Sequence, residues 1–337
     1  MFERSALDRL LHRLALESPS IIELMYDLES VLFQGTVPRR DVVYVTGLAR
    51  CGSTSLLRAL HSSNAFACLT YRDMPFVIAP NIWRHIRGFQ VEKPAGRERL
   101  HGDGIFEDLD SPEGLEEVFW RKELGNIYIQ ENGLFVHHVP EPTLSRLKIY
   151  QSLICAKYAS MRYLAKNNNM LLRIESLAPR TPDCCYLVLF REPLAHAESL
   201  LRQHLRFLAI KGFNLDYMRW LVHHEFGADH RPFRFSHASA TGLSPEGLDY
   251  WLERWIEAYA FLLDVLRLNL VNTVPVQYEH FCDDKAYRKK IFERVGIPLP
   301  AGTFENRNRS VSGGSKSLVE RATGIYSELC SRADRLL

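Results

Sequence analysis

One stretch decides the fold of this chain: Asp41-Val42-Val43-Tyr44-Val45-Thr46-Gly47-Leu48-Ala49-Arg50-Cys51-Gly52-Ser53-Thr54-Ser55-Leu56-Leu57. It reads as an apolar strand, a tight glycine turn and the start of a helix. Gly47 and Gly52 let the backbone close on an anion, and the N–H groups at a helix start point towards it. The cation of Arg50 completes a predicted phosphate-binding site, together with hydroxyls in the first helical turn: Ser53, Thr54 and Ser55.

The loop departs from the phosphate loop of ATP and GTP enzymes, which has the pattern Gly-x-x-x-x-Gly-Lys-Ser/Thr. Gly47 and Gly52 have the correct separation, but Ser53 stands where the lysine should be. The basic residue, Arg50, lies two positions before the second glycine instead. A nucleoside triphosphate is therefore a poor match for this loop.

The same residues resemble the 5′-phosphosulfate-binding loop of sulfotransferases that use 3′-phosphoadenosine-5′-phosphosulfate (PAPS). The pattern in that family is Gly-x-x-Arg/Lys-Ser/Cys-Gly-Ser/Thr-Thr/Ser, and residues 47–54 fit it. The resemblance implies that the 5′-phosphate is held by the following residues: Arg50, Cys51, Gly52, Ser53, Thr54 and Ser55. A strand-to-helix turn without a ligand is the structural alternative.

A second motif lies at Cys185-Tyr186-Leu187-Val188-Leu189-Phe190-Arg191-Glu192-Pro193-Leu194-Ala195-His196-Ala197-Glu198-Ser199. It reads as another buried strand that ends at an arginine, with a serine eight positions later on the following helix. In the sulfotransferase family an arginine and a serine at this spacing grip the 3′-phosphate of the donor, so the resemblance gives this role to Arg191 and Ser199. A guanidinium fork suits a phosphate dianion.

Further segments follow the layout of the same family. Lys166 precedes Arg191 by 25 positions, where relatives carry a catalytic lysine. The basic loop of residues 307–316 stands where many sulfotransferases fold a flap over the 3′-phosphate, which implies donor contacts from Arg309, Gly313 and Gly314. A solvated basic turn is the alternative. Segments 70–76 and 223–227 resemble bacterial members thought to modify glycans or glycolipids, so a glycan or glycolipid acceptor is expected.

The reaction also needs a base for the acceptor hydroxyl. The family uses a glutamate after the first helix or a histidine, and the corresponding stretch here reads Tyr71-Arg72-Asp73. We therefore expect Asp73 to be the base and Lys166 and Arg50 to stabilise charge on the leaving phosphate. Asp73 could instead pair with Arg72 or cap a helix, and several histidines remain candidates: His101, His137, His138 and His223.

Composition indicates one globular enzyme. The chain has 337 residues, of which 46% are hydrophobic and 24% charged, and its formal net charge of +2 does not favour a nucleic-acid partner. No run approaches the roughly 18 apolar residues of a membrane-spanning helix, and the N-terminus lacks a signal pattern. The 7 cysteines lack metal-ligand or disulfide spacing, so we expect a cytoplasmic location and no metal. Peripheral contact with a membrane-bound acceptor and homo-oligomerisation stay open.

The pattern along the chain predicts an α/β fold. Apolar strands near 42–46, 186–190 and 274–278 alternate with helical patterns, which indicates a mainly parallel sheet with helices on both faces and ligands at the carboxyl ends of the strands. Residues 1–40 read as a helical extension packed on the domain, interrupted at Ser18-Pro19, and residues 41–337 as one sulfotransferase domain. Residues 88–114 are expected to form loops around a substrate cleft.

Three functions compete at this point. A PAPS-dependent sulfotransferase is favoured because both phosphate motifs occur in the right order. A P-loop kinase is weakened by the missing lysine and by the lack of a clear magnesium-binding aspartate at a strand end. A non-catalytic nucleotide-binding protein on the same fold is the third, because a fold does not fix a function.

Overall fold

The computed structural model describes residues 5–33, 41–87, 97–98, 106–235, 242–302, 304–309 and 311–337. The α-helices are α1 (Ala6–Glu17), α2 (Pro19–Phe33), α3 (Ser53–His61), α4 (Pro80–Arg87), α5 (Glu117–Tyr128), α6 (Glu141–Tyr158), α7 (Ile174–Leu177), α8 (Pro193–Phe207), α9 (Phe213–Trp220), α10 (Leu248–Arg267), α11 (Tyr278–Asp283), α12 (Lys285–Arg294) and α13 (Lys316–Leu336). The strands are β1 (Asp41–Thr46), β2 (Arg97–Glu98), β3 (Phe106–Glu107), β4 (Ile129–Gln130), β5 (Gly133–Phe135), β6 (Arg162–Lys166), β7 (Cys184–Phe190), β8 (Phe233–Arg234) and β9 (Thr273–Gln277). Short 3-10 helices lie at Tyr71–Asp73, Asn168–Leu172 and Ala178–Arg180.

The central sheet is parallel and has the strand order β6-β1-β7-β9. Val45 of β1 pairs with Lys166 on one side and with Leu187 on the other. Parallel pairing brings the carboxyl ends of the strands to one edge, which is where ligands bind in open α/β sheets. The loop after β1, the end of β6 and the end of β7 therefore meet there.

Both faces of the sheet are covered. Side chains alternate along β1, so Tyr44 joins a core cluster on one face with α5, α6, α8 and α10, whereas Val43 and Val45 join a second cluster with α3, α11 and α12. Such strands, buried on both faces, read as continuous apolar runs. The predicted parallel α/β fold with helices on both faces is confirmed.

The two N-terminal helices predicted from the sequence form, and they meet at Ser18. Leu16 and Tyr26 lie in the same core cluster as the sheet. The buried carboxylate of Glu29 accepts hydrogen bonds from the backbone N–H groups of Asn81 and Ile82 at 2.8 and 2.9 Å, which caps the start of α4. These helices thus share the core of the fold.

Some elements differ from the sequence expectation. Strand β6 was not predicted, and the strand expected over 274–278 ends at Gln277 because Tyr278 begins a helix. The aromatic stripe of α10 is core packing as predicted, with Trp255 and Tyr259 fully buried.

Only part of the loop region 88–114 is among the described residues. None of the helices described has both the length and the apolar content to cross a membrane.

Candidate functional site

The phosphate loop depends on its two glycines. Gly47 has a φ of 137°, and a Cβ there would lie 2.4 Å from the carbonyl oxygen of Leu189. Gly52 has a φ of 95°, and a Cβ there would lie 2.4 Å from the ring of Tyr278. L residues avoid this backbone region, and both positions also lack the space for a side chain. The close approach of the loop to β7 and α11 therefore requires glycine.

Helix α3 begins immediately after Gly52, so its first N–H groups lie at the end of the loop. Ser53 and Thr54 are buried in this first turn, and Ser55 is partly exposed. Cys51 is fully buried, belongs to the core cluster under α3, and has a thiol pKa that burial raises. The Cys51 side chain thus packs in the core, so only the backbone of Cys51 could contact a phosphate in the loop.

Arg50, Arg191 and Ser199 lie close together in the fold. Arg191 follows β7 and is 6% exposed, and its Nη1 donates to the backbone oxygen of Arg50 at 3.2 Å. The Nε of Arg50 lies 3.5 Å from the hydroxyl of Ser199, which is buried on α8. Two cations and a hydroxyl thus converge beside the start of α3.

The C-terminal segment covers Arg191. Its guanidinium donates to Asn308 Oδ1, and its Nη2 donates to the backbone oxygen of Arg307 at 3.0 Å. Asn308 is held in turn by Glu279, whose Oε1 accepts from Asn308 Nδ2 at 2.6 Å. A guanidinium has five N–H donors, so a phosphate at Arg191 must use the other donors or displace Asn308.

The predicted flap residues lie apart from this contact. Arg309 is exposed, and among the residues described no contact joins it to Arg191. Gly314 packs against the first turn of α10, where a Cβ would lie 3.4 Å from Asp249 Oδ1, and Gly313 neighbours Leu248. Ser310 of the same loop lies outside the described residues. Donor contacts from Arg309, Gly313 and Gly314 stay a prediction.

Sequence reasoning missed His196, a fully buried residue of α8 between Arg191 and Ser199. Its Nε2 lies 2.8 Å from the backbone oxygen of Ala49, so it holds the phosphate loop from the side of α8. Burial and the nearby charge of Arg191 lower the pKa of His196 to about 3, which keeps the ring neutral. No spacing rule marks this residue, because the contact joins positions 147 apart in the chain.

Lys166 stands at the carboxyl end of β6, beside the phosphate loop. Its Nζ donates to Glu113 Oε1 at 3.0 Å, and both side chains are 10% exposed. The hydroxyl of Tyr71 donates to the other oxygen of Glu113 at 3.3 Å. Glu113, which no motif singled out, thus holds the ammonium group in place at the edge of the sheet.

His223 and Glu225 form a pair near this lysine. His223 Nδ1 lies 3.5 Å from Glu225 Oε2, and Asn168 Nδ2 donates to Glu225 Oε1 at 3.2 Å. Burial lowers the pKa of His223, but the carboxylate of Glu225 more than offsets it, so that the pKa lies above 6.5. Burial raises the pKa of Glu225, yet His223 brings it down to about 2. Glu113 and Lys166 also act electrostatically on His223, which places all four groups in one neighbourhood.

Asp73 has a different setting. Its side chain is fully buried and forms an ion pair with Lys157. It also accepts hydrogen bonds from the hydroxyl of Tyr158 at 2.7 Å and from the backbone N–H of Thr70 at 2.8 Å; the second bond belongs to a capping box, in which Thr70 is the N-cap of a 3-10 helix and Asp73 its third residue. Both carboxylate oxygens are therefore engaged in the interior, which speaks for the structural alternative. No contact joins it to Arg50, Lys166 or Arg191 in the part of the chain described.

The other candidate histidines lie elsewhere. His137 is buried, stacks on Tyr128, and has a pKa that burial lowers to about 4. His138 is exposed and contacts Ser176. His101 lies outside the described residues. The described residues contain no group of three or more metal-ligating side chains.

No protein-family model and no curated protein matches the chain. Three solved structures that resemble it are bacterial sulfotransferases. One from Mycobacterium tuberculosis is 14% identical with a TM-score of 0.47, over 98% of this chain and 86% of its own. One from Mycobacterium avium is 15% identical with a TM-score of 0.47, over 95% and 74%. One from Alicyclobacillus acidocaldarius is 15% identical with a TM-score of 0.39, over 88% and 95%. At such values, the function has to be argued from the residues of this chain.

Proposed function

We propose that this chain is a sulfotransferase that moves the sulfuryl group of PAPS to an acceptor hydroxyl. One observation carries the proposal: Arg50, Arg191 and Ser199 meet beside the start of α3, at the carboxyl edge of a parallel sheet. Arg50 and Arg191, from the two motifs that resemble donor-binding sequences, are 141 positions apart in the chain and are joined by a hydrogen bond in the fold, which supports a shared site. Glycans and glycolipids are the acceptors that the sequence resemblance implies.

The residues present fit a donor with two phosphate groups. The loop after β1 has no room for a Cβ at Gly47 or Gly52, because it packs against the backbone of Leu189 and the ring of Tyr278. The 5′-phosphate would be held by Arg50 and by the first turn of α3, and the 3′-phosphate by Arg191 and Ser199. PAPS supplies an activated sulfuryl group.

In the transfer, the acceptor oxygen bonds to sulfur while the bond from sulfur to the 5′-phosphate oxygen breaks. Negative charge grows on that phosphate, and the hydroxyl proton has to leave. Arg50, Lys166 and the N–H groups of α3 would stabilise the developing charge, as expected of a transfer with a loose transition state. Glu113 orients Lys166 for this task.

His223 is the group that we assign as the base for the hydroxyl proton. It is partly exposed and lies in the neighbourhood of Lys166, and its Nδ1 is 3.5 Å from the carboxylate of Glu225. A carboxylate that supports a histidine fixes the ring and stabilises the imidazolium that forms. The alternative, Asp73, would first have to release Lys157 and Tyr158.

The test is transfer of ³⁵S from labelled PAPS to a lipid and glycan extract. We expect labelled product with the native chain and roughly 10²- to 10³-fold less with Lys166→Ala, because the charge on the leaving phosphate loses a partner. Lys148→Ala, at an exposed position of α6, is the matched control.

The other two functions make different predictions in the same assay. Labelled product from γ-³²P ATP with magnesium, and none from PAPS, would overturn the proposal in favour of a kinase. Tight binding of PAPS without transfer to any fraction would favour a non-catalytic binding protein.

A further inference from the structure

The backbone of Arg50 has a conformation that favours glycine. Its φ is 69°, which is uncommon for a residue with a side chain. The backbone N–H of Cys51 donates to the carbonyl oxygen of Leu48 at 3.3 Å, so residues 48–51 form a β-turn with Arg50 in its third position. A positive φ at this position is usually supplied by glycine or asparagine. The phosphate loop therefore carries its cation at a residue whose backbone is strained.

Two side chains from the second motif contact the peptide groups on either side of Arg50. His196 Nε2 lies 2.8 Å from the carbonyl oxygen of Ala49, in the peptide group before Arg50. Arg191 Nη1 donates to the carbonyl oxygen of Arg50 at 3.2 Å, in the peptide group after it. Because peptide groups are planar, the orientations of these two groups set φ and ψ of Arg50. The strained conformation is thus fixed from both sides, by contacts across 147 and 141 positions of the chain.

The ring of His196 serves this one hydrogen bond. A carbonyl oxygen only accepts, so in the neutral ring Nε2 carries the proton and Nδ1 does not. Nδ1 is buried and has no hydrogen-bond partner among the residues described. The ring is fully buried on α8, with its centroid 6.3 Å from that of the Tyr259 ring. Tyr259 is itself fixed, because its hydroxyl donates to the carbonyl oxygen of Leu189 at 2.8 Å.

We propose that His196 is a positioning residue of the PAPS site, which together with Arg191 keeps Arg50 in its left-handed conformation. The proposal rests on the proposed function, because Arg50 is the cation that would bind the 5′-phosphate. Without the bond from His196, the peptide group before Arg50 can turn and the residue can relax to a negative φ. Its guanidinium would then move away from Ser199, whose hydroxyl lies 3.5 Å from the Arg50 Nε. The affinity for PAPS would fall although no phosphate contact had been removed.

The test measures binding of 3′,5′-adenosine bisphosphate to the full chain by titration calorimetry, with urea unfolding of the same variants. Two substitutions of similar length separate the hydrogen bond from the volume of the ring. His196→Met has no N–H group and should lower the affinity at least about tenfold. His196→Gln can present an amide N–H close to the position of Nε2 and should keep most of the native affinity. If His196→Met does not fold, His196→Asn replaces it, because the asparagine amide is one bond too short to reach Ala49.

The matched control is His204→Met on the same helix. His204 is also a buried histidine, and its Nδ1 accepts from the backbone N–H of Gly227 at 3.2 Å, outside the phosphate loop. This variant should lower the free energy of unfolding and leave the bisphosphate affinity unchanged.

A double-mutant cycle tests whether His196 acts through Arg50. Arg50→Gly removes the guanidinium and adopts a positive φ without strain, so the loop no longer needs the bond from His196. In the Arg50→Gly chain, His196→Met should therefore lower the affinity further by at most about twofold. A general effect of His196 on folding would instead repeat the full loss in both backgrounds.

Native affinity in a folded His196→Met chain would overturn the inference, as would an equal loss of affinity in the two backgrounds. Failure of the proposed function is seen separately, in the native chain. If the native chain does not bind the bisphosphate, the proposed function and the inference are both wrong. If the native chain binds it and His196→Met binds it equally well, the PAPS site stands and only the role of His196 is wrong.

Discussion

At the residue scale, the pair of His223 and Glu225 makes a prediction about pH. The base must be neutral, and its pKa lies above 6.5, so kcat/KM should fall as the pH drops through that raised value. Glu225→Gln removes the charge that raises the pKa, and the acidic limb should then move to lower pH. His223→Ala should reduce kcat/KM roughly 10²- to 10⁴-fold. The measurement is the pH profile of sulfuryl transfer.

The matched control is Glu320→Gln, which removes an exposed carboxylate on α13. Its acidic limb should coincide with that of the native chain. An acidic limb that stays in place in Glu225→Gln would show that another group is the base.

A second prediction at this scale concerns Asp73. Removing one partner of a buried ion pair leaves the other charge uncompensated, so Asp73→Asn should lower the free energy of unfolding by roughly 3–5 kcal/mol. Asp110→Asn breaks an exposed pair with Arg72 and should cost about 1 kcal/mol or less. Urea unfolding of the two variants checks this. A stable Asp73→Asn chain that is inactive would restore Asp73 as the candidate base.

At the element scale, the turn between β1 and α3 makes a prediction about glycine. Gly52→Ala places a methyl group in the left-handed region and against the Tyr278 ring, so the turn must shift. We expect the bisphosphate affinity to fall at least about tenfold and the free energy of unfolding to fall by roughly 1–3 kcal/mol. Calorimetric titration and urea unfolding measure the two effects.

Gly324→Ala is the control of identical chemistry. Gly324 lies within α13 with open space at its Cβ position, so alanine should stabilise the chain by up to about 1 kcal/mol and leave binding unchanged. Full bisphosphate affinity in Gly52→Ala would contradict the role of this turn.

Elements with a strong local pattern could be predicted from the sequence. β1 and β7 are largely apolar runs followed by glycine or arginine, and α10 has a long stripe of apolar and aromatic residues at helical spacing. The local sequence of each therefore indicates whether it is a strand or a helix. β6 has only five residues, with a charge at each end, and its strand form comes from pairing with β1. Short elements of this kind depend on tertiary pairing that no local pattern records.

The site divides in the same way. Arg50, Arg191 and Ser199 stand in local motifs and could be found by spacing. Glu113 meets Lys166 across 53 positions, and Asn168 meets Glu225 across 57, so these partners emerge only when the chain is folded. The ion pair of Asp73 with Lys157 likewise emerges only in the folded chain, because Lys157 lies on α6, 84 positions away.

At the scale of the whole molecule, the N-terminal helices should unfold together with the sheet. Leu16 of α1 is fully buried in the main core cluster, and Leu16→Ala should lower the free energy of unfolding by roughly 2–5 kcal/mol. The 5 tryptophans all lie after residue 80, so their fluorescence reports on the body of the fold. We expect the fluorescence and circular dichroism transitions to shift together.

Leu7→Ala changes a 66% exposed leucine of the same helix and should shift neither transition by more than about 0.5 kcal/mol. If Leu16→Ala left the tryptophan transition of the native chain unchanged, the helices would be a separate unit.

The most direct test of the account is a titration of the full chain with 3′,5′-adenosine bisphosphate, compared with ADP and with ATP plus magnesium. The account predicts tight binding of the bisphosphate and weak binding of the other two nucleotides. The reason is that Arg50 and Arg191 would each bind one of two separate phosphate groups. Arg191→Ala should lose most of this binding, whereas Arg202→Ala, in an exposed pair one turn beyond Ser199, should keep it. Preference for ATP with magnesium, or bisphosphate binding that survives Arg191→Ala in a folded chain, would contradict the account.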